Sequence, residues 1–381
     1  MSEEPGVKSA QRTASGEDPA RRTPHASRTI MIMAGGTGGH IFPALSVAEH
    51  LRAHGWHVVW LGTRVGMEAT LVAPKGYTMA WVSMTGVRGK GVLRAALLPL
   101  QLLRAFWQSA RAIFTHRPDV VLGMGGYVSF PGGMMASLLN RPLVIHEQNS
   151  IAGLANRVLA RLADRVLAGF PSAFSAGTAV IWTGNPVRSE ISLLGAPAAR
   201  YRARSGALRL TVIGGSLGAQ ALNETVPQAL ALLAEAERPL VTHQSGGRHL
   251  TEVESSYRRA GVTATLVPFI ADMPAHYATA DLFICRAGAS TIAEIAAAGI
   301  ASVLVPFPHA VDDHQTHNAR FLSELGAAVL VPQHELTPQR LAELLRGFTR
   351  EALLDMAQKA RSVAKPDATR SVADECMKRA A

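Results

Sequence analysis

Short apolar runs that stop at glycine-rich turns, each followed by a helical pattern, occur twice in this chain. Residues 29–34 (TIMIMA) run into Gly35-Gly36-Thr37-Gly38-Gly39-His40, and apolar positions then recur at helical spacing from about 43 to 54. A second run at 56–61 predicts the next strand. The theme returns in the second half: residues 209–213 end at Gly214-Gly215-Ser216-Leu217-Gly218-Ala219, a helical pattern spans about 220–236, and residues 240–243 predict another strand. Further strand candidates at 120–122, 143–145, 282–284 and 302–305 are apolar at nearly every position, which suits parallel strands covered on both faces. The expected fold is therefore α/β: two Rossmann-like, doubly wound domains facing each other across a cleft that holds the site.

Pro186, Gly195, Pro197 and the basic stretch 200–204 interrupt the periodicity, so the boundary is expected between 185 and 208. This divides the chain into 28–187 and 188–366. The helical pattern after Asp367 is expected to cross back onto the first domain. Residues 1–27 are polar, mix both charges and lack an apolar core, and read as a disordered tail rather than a signal peptide.

Composition narrows the class. The two cysteines, Cys285 and Cys376, cannot build a disulfide framework, which points to a reducing, cytoplasmic location. No apolar run reaches the roughly 18 residues of a membrane-spanning helix. The net charge of +10 is uneven: residues 31–187 carry thirteen basic and five acidic side chains, residues 188–381 twenty and nineteen. An excess confined to one half suggests an anionic partner for that half, either nucleic acid or acidic lipid. Aromatics are only 6%, and no helix-turn-helix, RNA-binding or zinc pattern is present, so nucleic acid is set aside. Residues 86–111, GVRGKGVLRAALLPLQLLRAFWQSAR, combine eight large apolar side chains with five basic ones and suit a lipid interface. Each basic residue close to an anionic surface adds about 1 kcal/mol. The competing reading is a core helix with a basic solvent face over 100–107, with Pro99 restricting membrane contact to 87–98.

A glycine turn that feeds a helix lets backbone N–H groups and the helix dipole approach an anion. Dinucleotide oxidoreduction is disfavoured: the first loop lacks G-x-G-x-x-G spacing, and the second strand ends at Leu61-Gly62-Thr63-Arg64 without a ribose-binding acid, although Arg64 suits a phosphorylated ribose. Neither loop continues into the Gly-Lys-Ser/Thr of a P-loop.

Eight motifs in order now carry a resemblance. They are the first glycine loop through His40, Gly86-Val87-Arg88-Gly89-Lys90-Gly91, Gly125-Gly126-Tyr127-Val128-Ser129, His146-Glu147-Gln148-Asn149, Gly184-Asn185-Pro186-Val187-Arg188, Gly214 to Ala219, Arg286-Ala287-Gly288-Ala289-Ser290-Thr291, and Asp313-His314-Gln315-Thr316. From about residue 29 onward the chain resembles the MurG family, the bacterial peptidoglycan N-acetylglucosaminyltransferases. The resemblance implies a GT-B fold and transfer of N-acetylglucosamine from UDP-N-acetylglucosamine to the C4 hydroxyl of the muramoyl sugar of lipid I. The products would be lipid II and UDP, with inversion to a β-1,4 linkage. It also implies a peripheral location on the cytoplasmic face of the inner membrane, with other cell-wall and division proteins as further candidate partners.

Residue roles follow from the same resemblance. His40 is the favoured general base, with phosphate or backbone contact as its alternative. Glu147 is the rival carboxylate, which beside a strand end equally suits anchoring backbone amides. Thr37, Gly38 and Gly39 would line the pyrophosphate and acceptor side. Asn149 and Arg188 would contact the donor, Arg188 having an interdomain ion pair as its alternative. Ser216 would hold UDP phosphate with the second loop. The Ile270 backbone would meet the uracil edge, and Ala289, Ser290 and Thr291 would open a phosphate-facing helix. Glu294 would accept from the ribose hydroxyls, and Gln315 and Asn318 would grip the sugar, although His314 stands where the family often carries a first glutamine. Asp312-Asp313 does not read as a metal site, and neither metal nor cofactor is expected. A GT-B 2-epimerase, another lipid-acceptor transferase and a silent nucleotide-sugar-binding scaffold are the competing functions.

Overall fold

A computed structural model describes residues 28–84, 98–215 and 218–380. The tail 1–27, residues 85–97 with the whole Gly86–Gly91 motif and all but the last residue of the expected membrane-contact stretch 87–98, and Ser216 with Leu217 lie outside the described residues. The first sheet comprises β1 (Thr29–Met33), β2 (His57–Gly62), β3 (Thr78–Trp81), β4 (Val120–Gly123), β5 (Leu143–Glu147), β6 (Arg165–Ala168) and β7 (Val180–Trp182), in spatial order 3-2-1-4-5-6-7. The second comprises β8 (Arg209–Ile213), β9 (Leu240–Gln244), β10 (Thr265–Val267), β11 (Leu282–Cys285), β12 (Ala301–Leu304) and β13 (Ala328–Leu330), in order 10-9-8-11-12-13. Every pairing is parallel.

The described helices of the first half are α1 (Gly38–Ala53), α2 (Met67–Leu71), α3 (Leu98–His116), α4 (Ser129–Leu138) and α5 (Leu154–Leu159). The connection carries α6 (Ser189–Ser192) and α7 (Pro197–Arg202). The second half has α8 (Gln220–Ala231), α9 (Leu250–Ala260), α10 (Met273–Thr279), α11 (Ala289–Ala298), α12 (His314–Ser323), α13 (Pro338–Gly347) and α14 (Arg350–Ser362), before the last described helix, α15 (Ala368–Arg379).

Alternation along β1 divides its fully buried residues between the two faces of the sheet. Ile30 and Ile32 join α1 (Ala44, Val47, Leu51), whereas Met31 and Met33 face Ile113 of α3, Ala136 of α4 and Leu159 of α5. In the second domain, Leu210 and Val212 pack with Leu222 and Val226 of α8 and Leu341 of α13. On the opposite face, Phe283 and Cys285 pack with Ile292 and Ile295 of α11. The chain returns to the first sheet at its end: Val372, Ala373 and Cys376 of α15 enter the same cluster as Ile30 and Ile32.

Three local differences from the sequence pattern have physical causes. Helix α1 begins at Gly38, before the periodicity starts: Thr37, extended at the N-cap position (φ −124°, ψ 157°), offers only its carbonyl, which accepts from the His40 and Ile41 amides. Gly38, Gly39 and His40 thus form a first helical turn rather than a loop. Helix α8 stops at Ala231, short of 236, because the backbone turns extended at Ala234 (φ −57°, ψ 146°) and residues 235–237 form a separate short 3-10 turn. Pro99 lies in the first turn of α3, where a missing N–H breaks no helical bond. That helix buries small residues, Ala105, Ser109 and Ala112 with Ile113, and turns Leu100, Leu103, Trp107 and Phe114 outward, each more than 60% exposed. A core helix over 100–107 is therefore not what forms.

Candidate active site in the interdomain cleft

In both sheets the strand order reverses beside the first strand of the domain, between β1 and β4 and between β8 and β11. Loops leaving neighbouring strands in opposite directions open a crevice at such a point. The turn after β1 leads into α1, and the turn after β11 leads into α11. Neither helix has a side-chain cap, so their first N–H groups remain free for an anion. Across the cleft the two helix starts approach closely: Ser290 Oγ donates to the Gly39 carbonyl at 3.5 Å. Pro43 makes that contact available. It is four residues after Gly39 within α1 and has no N–H to offer that carbonyl.

Packing dictates the first glycine turn. Gly36 takes φ +91°, and its N–H donates to Glu68 Oε2 at 3.3 Å. Glu68 is fully buried and also accepts from the Thr63 amide (2.7 Å) and hydroxyl (2.8 Å), tying the turns after β1 and β2 together. Gly125, at φ +87°, lies under the His40 ring; a Cβ there would stand 2.6 Å from Nδ1. Thr37 and Gly39 are exposed and Gly38 and His40 half-buried, in the turn whose Gly39 carbonyl meets Ser290 of the facing helix start.

His40 Nδ1 is 2.8 Å from Gln148 Oε1, and Gln148 in turn contacts His146. Glu147 points elsewhere. At 3% exposure, its Oε1 accepts from the Asn149 backbone (3.0 Å) and side chain (3.1 Å), and its Oε2 from Gly153 N (3.1 Å) and Asn156 Nδ2 (2.8 Å). Both oxygens brace the loop from β5 to α5. Of the two alternatives read for this carboxylate, the geometry is that of the anchor.

Arg188 caps α6 and donates to Glu294 Oε1 at 3.0 Å, while Tyr277 OH donates to Oε2 at 3.1 Å. Burial pushes the Glu294 carboxyl up, with the Arg188 guanidinium and the Tyr277 hydroxyl opposing it. Val187 and Ile191, which flank Arg188, belong to the second domain's core. The pair therefore lies within that domain and is not an interdomain bridge. A carboxylate has about four acceptor positions, so Glu294 retains capacity for hydroxyl donors.

Asn318 does not fit its expected role on the sugar. It is fully buried: its Oδ1 accepts from Ser150 N (2.9 Å) and Ser150 Oγ (2.8 Å), and its Nδ2 donates to Ala287 O (3.2 Å) and Asn149 Oδ1 (3.4 Å). Every polar atom is committed to joining the β5–α5 loop to the turn before α11. Gln315 Oε1 accepts from the Ala287 and Phe307 amides (3.2 and 3.0 Å), which leaves the NH2 end for a ligand. The Ile270 N–H donates to Gln244 Oε1 at 2.8 Å, so only its carbonyl can meet a base edge. Asn149, Ala289, Ser290 and Thr291 stand together at the α11 side; Ser216 lies outside the described residues. Asp312 pairs with Arg157 at 3.6 Å and Asp313 accepts from Thr316 Oγ1, and no cluster of three or more metal-ligating side chains occurs among the described residues.

Gln148, His146 and Glu68 received no role from the sequence. The first two sit in a motif whose neighbours drew attention, and nothing in a strand-end pattern reports which way an amide faces. Glu68 meets Gly36 only through the fold.

Two parallel doubly wound sheets with phosphate-ready helix starts facing across a cleft define a GT-B glycosyltransferase. A crystal structure of a kitacinnamycin glycosyltransferase shares this fold at TM-score 0.67 and 17% identity, covering 93% of this chain and 100% of that one. Residues 30–168 match the glycosyltransferase family 28 N-terminal domain and residues 209–374 its C-terminal domain. Relatives named UDP-N-acetylglucosamine–N-acetylmuramyl-(pentapeptide) pyrophosphoryl-undecaprenol N-acetylglucosamine transferase occur in Dechloromonas aromatica (strain RCB) and Nitrosospira multiformis, each 61% identical over 92% of this chain and 98% of the relative. A crystal structure of Acinetobacter baumannii MurG superposes at TM-score 0.81 with 42% identity, covering 92% of this chain and 99% of that one. The chain belongs to this family of N-acetylglucosamine transferases within glycosyltransferase family 28.

Proposed function

We propose that the chain transfers N-acetylglucosamine from UDP-N-acetylglucosamine to the C4 hydroxyl of the muramoyl sugar of lipid I, giving lipid II and UDP with inversion. The observation that carries this reading is the meeting of the α1 and α11 starts at two strand-order reversals, with His40 on the first turn of α1. An in-line displacement needs a base on one side of the anomeric carbon and stabilisation of the departing diphosphate on the other. His40 takes the acceptor hydroxyl proton. The α11 amides at Ala289, Ser290 and Thr291, with Ser216 and the second glycine loop, hold the UDP phosphates as charge develops. Glu294 accepts from the ribose hydroxyls, the Ile270 carbonyl meets the uracil, and Arg188, Asn149 and the Gln315 NH2 bind the donor. Thr37, Gly38 and Gly39 border the acceptor. Glu147 and Asn318 shape the site without touching substrate.

In this scheme residues 28–187 take the lipid-linked acceptor and 188–366 the nucleotide sugar. The outward apolar face of α3, with Arg104 and Arg111 beside Leu100, Leu103 and Trp107, rests on the anionic cytoplasmic face of the inner membrane. None of the described helices is long and apolar enough to cross a membrane, which suits peripheral attachment. Purified protein given labelled UDP-N-acetylglucosamine and a lipid I analogue is expected to form lipid-linked disaccharide. Absence of product with donor binding intact would overturn the transferase reading. His40→Ala should reduce turnover far more than donor affinity; equal losses would assign His40 to binding.

A further inference from the structure

Behind His40 lies a chain of polar groups to which the proposed function assigns no role. Gln148 is 1% exposed and His146 fully buried. His146 Nε2 is 3.0 Å from the Gly184 carbonyl, an atom that can only accept, so Nε2 carries a proton. Burial pulls the His146 pKa down to about 4, so at neutral pH the ring is neutral and Nδ1 bears a lone pair. The Gln148 amide is 3.0 Å from that nitrogen and 3.2 Å from the His146 carbonyl, both through Nε2. The two contacts use both amide hydrogens. A flipped Gln148 would set its oxygen against a lone pair and a carbonyl, so Oε1 faces His40. Facing an oxygen that can only accept, His40 Nδ1, at 2.8 Å, must be the protonated nitrogen.

We propose that Gln148 and His146 form a positioning relay that holds His40 in its Nδ1–H tautomer, leaving the Nε2 lone pair to take the acceptor proton. The inference rests on the general-base reading of His40 and specifies what that reading leaves open. The base of the relay is the Gly184 carbonyl, at the start of the connection between the domains. Gly184 holds φ +78°, and a Cβ there would stand 2.3 Å from Lys365 Cβ, so the carbonyl is fixed by packing. Neighbouring Asn185 donates to the Gln148 backbone carbonyl at 2.9 Å. Proton transfer is balanced within the site: Nε2 gains the hydroxyl proton, the hydroxyl oxygen bonds to the anomeric carbon, and the bond to UDP breaks. Nδ1–H stays on Gln148 throughout, so the relay stabilises the imidazolium without moving a proton itself.

The test is the tautomer of His40, read by long-range proton–nitrogen correlation on protein labelled with 15N-histidine above the imidazole pKa and assigned with His40→Ala. Wild-type protein should show a protonated Nδ1 and a bare Nε2. A wild-type Nε2–H tautomer overturns the relay without any variant. Gln148→Met and His146→Leu should release His40 toward Nε2–H and lower kcat roughly ten- to hundredfold, short of the 10²–10⁴-fold worth of a general base. The Kd for UDP-N-acetylglucosamine should stay within about twofold, since uniform binding is not what they remove. If His40→Ala abolishes turnover while both variants keep the wild-type tautomer and kcat, the relay fails and the base assignment stands. If His40→Ala leaves turnover intact, the base assignment itself fails.

Discussion

Replacing Glu147 with glutamine separates a loop anchor from a catalytic carboxylate. The carboxylate accepts four N–H groups between 2.8 and 3.1 Å, two on each oxygen. Glutamine turns one oxygen into an NH2 that confronts two donors, and the remaining bonds lose their charge. Hydrogen bonds to a charged group contribute about 1.5–3 kcal/mol each, and a buried donor left unpaired costs about 1–3 kcal/mol. Allowing for relaxation of the loop, Glu147→Gln is expected to destabilise the chain by about 3 kcal/mol or more. For a unit of about 160 residues such as 28–187 unfolding on its own, that corresponds to a fall in Tm of roughly 6–12 °C. Scanning calorimetry measures this loss, and a pH profile of kcat/KM on the same preparation measures catalysis. The anchor reading expects a lowered Tm, a modest fall in kcat/KM from a loosened Asn149 loop, and an acid limb where the wild type has it. An unchanged Tm with turnover reduced a thousandfold and the acid limb abolished would refute the reasoning and make Glu147 the base.

Asn318→Ala leaves Ser150 N–H and Oγ–H without their acceptor inside the interface; donor affinity and Tm should both fall, and unchanged values of both would show that the clamp carries no load. Asp281 is fully buried and accepts from Arg204 (2.9 Å), Arg209 N (2.8 Å) and Arg350 (3.4 Å), so Asp281→Ala, which strands Arg204, should cost about 3–5 kcal/mol in urea unfolding. Burial pulls His146 and His243 down to about 4, below the 6.5 of an exposed ring. The unfolded chain therefore binds these protons first, and stability present above pH 6.5 should drain away as pH falls toward 4, by up to about 3 kcal/mol per ring. Urea midpoints that stay flat over this window would refute it.

Both sheets were readable because their strands are buried on two faces, which writes uninterrupted apolar runs such as residues 30–34 and 282–284 into the chain. The glycine turns were readable for a related reason: positive φ at Gly36 and close packing at Gly125 exclude other residues. Helix starts were less legible. Gly38 and Gly39 are poor helix formers, yet α1 begins there, the Thr37 carbonyl accepting from the His40 and Ile41 amides. Polar side chains inside the site were least legible, since residue type does not report orientation. Asn318 looks like a sugar-binding amide until its partner Ser150, 168 positions away, is seen to occupy its oxygen. Glu147 and Gln148 are adjacent in a strand-end motif, yet one turns to the β5–α5 loop and the other to His40. The Ser290–Gly39 contact joins residues 251 positions apart and depends on how the domains meet.

The return of α15 to the first sheet bears on the order in which the chain matures at the ribosome. Domains generally fold as units, the N-terminal one first as it emerges. Here the face of the first sheet at Ile30 and Ile32 is completed by Val372, Ala373 and Cys376, each fully buried and each translated after the whole second domain. The first domain must wait, with part of its apolar face uncovered, until synthesis is nearly over. Helix α15 acts as a late seal, and the first domain becomes a finished unit only once the second already exists.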